Sequence, residues 1–223
     1  MRLVPAGSRG AAWATPALAL LAASCVFRPH QDPTRFYVLA ASAPDHPPAP
    51  ASLVVGLGPI AMPGYLQHPM LATRAAGTQI RYADFDRWAE PLPTLFGRAL
   101  GQDLSALLDA GIVPYPWYRT ARPDVVVRVD VTSFEADAAG DARLDACWTI
   151  RDPPMRTACR GECSSILEPV DERGAQASVA ALSRAVGELA RQLASAIRSC
   201  PTGVARTAKP RAKQPIYEGG EPP

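Results

Sequence analysis

The chain has 223 residues, a formal charge of +2 and 24 prolines, roughly twice what ~5% usage would give. The near-neutral balance lacks the concentrated positive face that phosphate binding needs, which excludes nucleic acid as the main partner. No run reaches the ~20 apolar residues of a membrane-spanning helix, which excludes a polytopic membrane protein.

Residues 1–24 read as a signal peptide. Arg2 and Arg9 form a positive n-region, and Ala11 to Ala23 form an apolar stretch broken only by Thr15 and Pro16. That stretch suits a signal sequence and is too short for a bilayer-spanning helix. It ends in Leu21-Ala22-Ala23-Ser24-Cys25, small residues before a cysteine, which resembles a bacterial lipobox with Cys25 as the acylated mature N-terminus. Ala22 stands where leucine is usual, and cleavage elsewhere, with Cys25 a free or bridged thiol, is the other reading. Several acyl chains, at ~0.8 kcal/mol per buried CH₂, would anchor the protein stably. Val26, not Asp, after the lipid cysteine points to the outer membrane by analogy with enteric bacteria.

Residues 25–34 read as a lipid-anchored tether, residues 35–200 as one domain, and residues 201–223 as a disordered Pro-rich tail. Loss of Arg2 and Arg9 leaves the mature chain formally neutral. The tail holds hardly any large apolar residue to offset the entropy of ordering it.

Within the domain, Phe36 to Leu39 and Leu53 to Leu57 are short apolar runs bounded by prolines and predict buried strands. Ala41 to Ala51 is a Pro/Ala loop. Met62, Pro63, Gly64, Tyr65 and Leu66 follow, a turn that either folds onto the core or presents an apolar knob of good contact residues. Ala72 to Ala75 and Gln79 to Tyr82 predict a hairpin turning at Ala76-Gly77. Asp86 and Arg87 read as solvated charges, and Trp88 and Glu90 as structural residues ahead of a helix. Phe96, Leu100, Leu104, Leu107 and Leu108 mark that helix, stopped by Gly111. Val125, Val127, Val129 and Val131 alternate in a strand. Leu144, Ala146, Trp148 and Ile150 alternate in the next, putting Arg143, Asp145, Cys147 and Thr149 on its other face. Asp152-Pro153-Pro154 has turn chemistry, and Thr157 to Leu167 should return antiparallel. Val179, Leu182, Val186, Leu189, Leu193 and Ile197 mark a second, longer helix. The fold class is therefore α+β, one mixed, largely antiparallel sheet with two long amphipathic helices covering it.

The runs Phe36 to Leu39, Val55-Gly56-Leu57-Gly58-Pro59-Ile60 and Pro63-Gly64-Tyr65-Leu66-Gln67-His68-Pro69 carry a family resemblance when taken in order. So do Arg87 to Leu92, Pro116-Trp117, Val125 to Glu135 and Ala181 to Leu193. Together they resemble the ABC-type transport auxiliary lipoproteins, the PqiC-like subunits that accompany MCE-domain lipid transport systems. His68 and Met70 depart from the arginine and glutamine usual around that proline, and the later cysteines lie outside the family pattern. The resemblance implies a non-enzymatic outer-membrane lipoprotein with its domain in the periplasm. It also implies partners in MCE-domain and ABC transporter subunits, phospholipid or other hydrophobic cargo, and a homo-oligomeric ring. An interface through Met62, Pro63, Gly64, Tyr65, Leu66, His68 and Pro69 would fit such docking. A free-standing envelope lipoprotein, an assembly factor or chaperone, could use the same body.

Beyond Cys25 the cysteines are Cys147, Cys159, Cys163 and Cys200, an even number that invites disulfides in an oxidising periplasm, with three connectivities open. Cys159 and Cys163 lie roughly 13 Å apart on an extended strand, beyond the ~7 Å that a bridge spans, so they bridge each other only if Arg160-Gly161-Glu162 forms a turn. A hairpin centred on Pro153 puts Cys147 opposite Cys159, leaving Cys163 for Cys200. Cys-x₃-Cys without nearby histidines is a poor zinc site, and no metal or other cofactor is expected. A periplasmic hydrolase would have His68 as its one body histidine, and none of the usual elbow, zinc-helix or phosphate-loop motifs is in the sequence.

Overall fold

The protein is described by a computed structural model covering residues 32–43, 53–117, 122–137, 140–152 and 157–200. The segments expected as signal peptide, lipidated Cys25, most of the tether and the Pro-rich tail after Cys200 lie outside the described residues. The chain divides into two units, residues 1–33 and 34–223, and the fold below is that of the second.

Among the described residues, eight strands and two α-helices follow in the order β1 (Arg35–Tyr37), β2 (Leu53–Ala61), β3 (Met70–Arg74), β4 (Ile80–Trp88), α1 (Leu92–Leu108), β5 (Ala110–Pro114), β6 (Val125–Asp137), β7 (Asp141–Asp152), β8 (Thr157–Pro169) and α2 (Ala175–Ser199). The long strand β6 organises the sheet. One of its edges pairs with β7 over nearly its whole length, and β7 pairs in turn with β8. Its other edge is shared, first by β2 and then, near its end, by β3, both parallel to it. β5 adds outside β2, and β4 and β1 add outside β3. The sheet is mixed, and most of its paired residues sit in the antiparallel β3–β4, β6–β7 and β7–β8 ladders.

Both helices pack against each other and against the same face of the sheet, α1 over β2 and β5, α2 over β6, β7 and β8. The residues that produce this layer are those at the two periodicities. Val125, Val127, Val129 and Val131 of β6 and Leu144, Ala146, Trp148 and Ile150 of β7 all point inward and are buried. Phe96, Leu100 and Leu104 of α1 meet Val186, Leu189 and Leu193 of α2 in the same core, with Phe96 set edge-to-face on Phe134 at 5.3 Å. Each such apolar side chain contributes about 1.5–3 kcal/mol by leaving water. The outward residues are polar: Arg128, Asp130 and Thr132 on β6, Arg143 and Asp145 on β7.

Four expectations are corrected. The run Phe36 to Leu39 is not a buried strand. Only Arg35–Tyr37 pairs, at the edge of the sheet, so Tyr37 and Leu39 turn inward while Phe36 and Val38 stay exposed. Helix α1 ends at Asp109, whose left-handed φ of 48° closes it, and Gly111 lies in β5, a strand hidden in the residues after the stripe. Asp86 is buried rather than solvated: it accepts hydrogen bonds from Arg35 (Nη2, 3.1 Å) and the Tyr37 hydroxyl (3.1 Å). The fourth is the β7–β8 register. Cys147 faces Cys163, and the bonded pairs are Cys147–Cys163 and Cys159–Cys200. The hairpin centre sits about two residues beyond Pro153, which moves the partner of Cys147 by four positions, from Cys159 to Cys163.

Two tight contacts shape the frame. Gly77 takes the positive φ of 68° that the β3–β4 turn requires. Gly187 on α2 lets the segment after β1 approach, since a Cβ there would stand 2.5 Å from the Ser42 hydroxyl oxygen. That segment is held by Asp103 of α1, whose Oδ1 accepts the backbone N–H groups of Ser42 and Ala43, each at 2.7 Å.

Candidate functional site

The loop joining β2 to β3 is the segment singled out by the sequence, and its residues divide between the core and the surface. Pro63 fixes the backbone ahead of a single 3-10 turn, Gly64–Gln67, closed by the Leu66 N–H on the Pro63 carbonyl at 3.0 Å. The turn directs Leu66, 2% exposed, into the core next to buried Met62. Neither side chain is a surface knob. An apolar residue on a loop this short gains more from the adjacent core than from solvent.

Tyr65 is half-buried, and its hydroxyl donates to Glu135 Oε2 at 2.9 Å. Glu135, 1% exposed on β6, also accepts the Phe134 N–H at 2.7 Å and pairs with Arg74 of β3, the Arg74 Nε–Oε1 distance being 2.7 Å. A buried carboxylate survives only when paired and hydrogen-bonded, and here both oxygens are used. Burial and the Glu135 carboxylate together push the Tyr65 phenol up to about 12, so it remains a donor at any physiological pH. The network fixes the loop to two strands.

On the outside lie Gly64, Gln67, His68 and Pro69, all exposed. His68 stacks on Tyr82 of β4 with ring centroids 4.4 Å apart, and the Tyr82 hydroxyl donates to the Tyr65 carbonyl at 3.0 Å. Gln67 donates to the Met62 carbonyl at 3.0 Å, closing the loop base. The structure therefore presents a small rigid ridge of imidazole, phenol and proline, with Met62, Tyr65 and Leu66 as its foundation. Glu135, Arg74 and Asp103 were not singled out by the sequence reading, although each is a charged residue inside or beside an apolar pattern. Trp88 is buried, and Glu90 pairs with Arg98 at 2.6 Å, so both serve the start of α1.

Among curated proteins none is similar enough to this chain to match. Solved structures that share the fold include the following two. An uncharacterized protein is 17% identical with a TM-score of 0.63, covering 74% of this chain and 98% of its own. A Xanthomonas campestris protein of the family DUF330 is 15% identical with a TM-score of 0.61, covering 72% of this chain and 93% of its own. The model of the family described as ABC-type transport auxiliary lipoprotein component matches residues 37–194, nearly all of the sheet and both helices. This chain belongs to the ABC-type transport auxiliary lipoprotein component family.

Proposed function

We propose that the chain is a periplasm-facing outer-membrane lipoprotein, anchored through acylated Cys25. In this reading it is the non-catalytic auxiliary subunit of an ABC and MCE-domain system that moves phospholipid between the inner and outer membranes and maintains membrane integrity. The family match over residues 37–194 carries this reading. The lipobox-like Ala22-Ala23-Ser24-Cys25 and the signal sequence ahead of it support the anchor. The ridge of Gly64, His68 and Pro69 with Tyr82 is the surface offered to the partner, held by buried Met62 and Leu66 and half-buried Pro63 and Tyr65. Its rigidity favours recognition, because little freedom remains to be lost on docking. A homo-oligomeric ring belongs to the same reading.

Mild cross-linking of the lipidated protein in native membranes, followed by mass spectrometry of what co-purifies, tests it. Recovery of an MCE-domain protein with ABC subunits is the expected result. Recovery of the chain alone would strip away the transport role and leave a free-standing envelope lipoprotein. A His68→Ala, Tyr82→Ala variant is expected to lose the partner with its melting temperature kept. Leu66→Ser, a core change, should instead lower the melting temperature.

A further inference from the structure

The outward face of the β1–β4 edge differs from the rest of the outer sheet. The parallel register sets Phe36 beside Arg87 and carries Arg35 and Tyr37 to the Asp86 side. Phe36, Val38, Phe85 and Arg87 therefore share the opposite face. Phe36 is 67% exposed, Val38 53% and Phe85 50%, half of the large apolar side chains exposed among the described residues. Arg87 among them is half-buried, its Nε is buried without a hydrogen-bond partner, and no ion pair of the described residues uses that guanidinium. Across β6 and β7 the same sheet face is polar.

We infer that this patch is a second membrane contact, resting on the surface of the anionic bilayer that holds the acyl chains. The inference rests on the lipid anchor at Cys25. Phe36 follows Cys25 by eleven residues, which span at most ~40 Å however they run. The patch thus begins in the first strand after the anchor, and the tether keeps it within reach of one leaflet. Phenylalanine and valine suit the boundary of acyl chains and head groups, and an unpaired guanidinium suits lipid phosphate. A protein partner would meet the patch only by diffusion, whereas the membrane is delivered to it covalently. The contact would orient the body, setting the open edge of β1 toward the bilayer and the polar sheet face away from it.

The test uses the full lipidated protein in vesicles of phosphatidylethanolamine and phosphatidylglycerol containing a phospholipid with a photoactivatable diazirine near its glycerol backbone. Labelled peptides covering residues 34–39 and 82–88 are expected, with α2 peptides at background. In the Phe36→Ser, Phe85→Ser variant that labelling should fall to background with the melting temperature little changed, because half or more of each side chain is already exposed. Label confined to the acylated N-terminal peptide would overturn the patch and keep the anchor. Chain-to-chain cross-links between these peptides of two copies, in place of lipid label, would overturn it too and make the face a self-association surface. The mass of the N-terminal peptide reads the anchor separately. Should Cys25 carry no acyl group, the anchor reading falls, and flotation of that chain with the same vesicles decides the patch. Flotation lost in the double variant would retain it, and no flotation would overturn it.

Discussion

Asp103 shows what a single residue does for this fold. It lies on α1 seven residues after Phe96, on the face that otherwise carries Leu100 and Leu104, and is 1% exposed. Its Oδ1 takes two backbone donors from residues 42 and 43, while Oδ2 has no partner among the described residues. Burial pushes the carboxyl above the ordinary aspartate range, and the Ser42 and Ala43 donors and Arg191 on α2 oppose that rise. A carboxyl whose folded value exceeds its unfolded one binds its proton more tightly in the folded chain. Its contribution is then full below about pH 4 and is lost as pH rises through the folded value. Against Asp103→Asn, the natural protein should lose relative stability from about pH 4 upward, by up to about 1.4 kcal/mol per pH unit, and level off once the group is ionised. Urea unfolding of both proteins from about pH 4 to pH 7 measures this, and parallel curves would give Asp103 no such role. The sequence reading passed over Asp103, although a charge at seven residues on an apolar stripe must be buried or break the stripe. It passed over Glu135 as well, because a register shift between Val131 and Ser133 breaks the alternation that would have placed it.

Elements with a long, regular pattern were legible: β6, β7 and both helices stand where valine and leucine spacing puts them. β5 was not. Ala110–Pro114 is five residues long, begins two residues after the end of α1, and has the same apolar content as a last helical turn. Only pairing with β2, more than fifty positions earlier in the chain, distinguishes it. The β7–β8 hairpin was legible as a hairpin and misread in register, since alternation fixes which face a residue takes but not which partner it meets. The disulfides inherit that register, and their unequal spans give them unequal weights. Cys147–Cys163 closes 16 residues within a ladder that already holds its ends together, while Cys159–Cys200 closes 41 and joins β8 to the end of α2. Chain entropy alone assigns about 3 and about 4 kcal/mol. Replacing Cys159 and Cys200 by alanine should therefore destabilise more than replacing Cys147 and Cys163, measured by denaturant unfolding. Non-reducing peptide mapping should recover a 147–163 and a 159–200 linkage, and a 147–159 linkage would show the hairpin in the other register.

At the scale of the whole molecule, one sheet face carries both helices and the other is exposed, polar over β6 and β7 and apolar at the β1–β4 edge. The layering follows from the two amphipathic stripes, each of which needs an apolar face to cover. The strand order does not follow from sequence, because parallel neighbours such as β2 and β6 are joined through elements that each read as independent. The asymmetry of the outer face has a consequence for the tethered protein. If the edge patch rests on the bilayer because the anchor delivers it there, its occupancy depends on the length of chain between Cys25 and Phe36. Ten Gly/Ser residues inserted after Val26 roughly double that length. Effective concentration falls with about the −3/2 power of linker length, so lipid labelling of residues 34–39 should drop about threefold, with acylation and melting temperature unchanged. Labelling indifferent to the insertion would mean that affinity of the patch itself, rather than delivery by the tether, holds the body against the membrane. Labelling abolished outright would instead mean that the tether forms part of the contact.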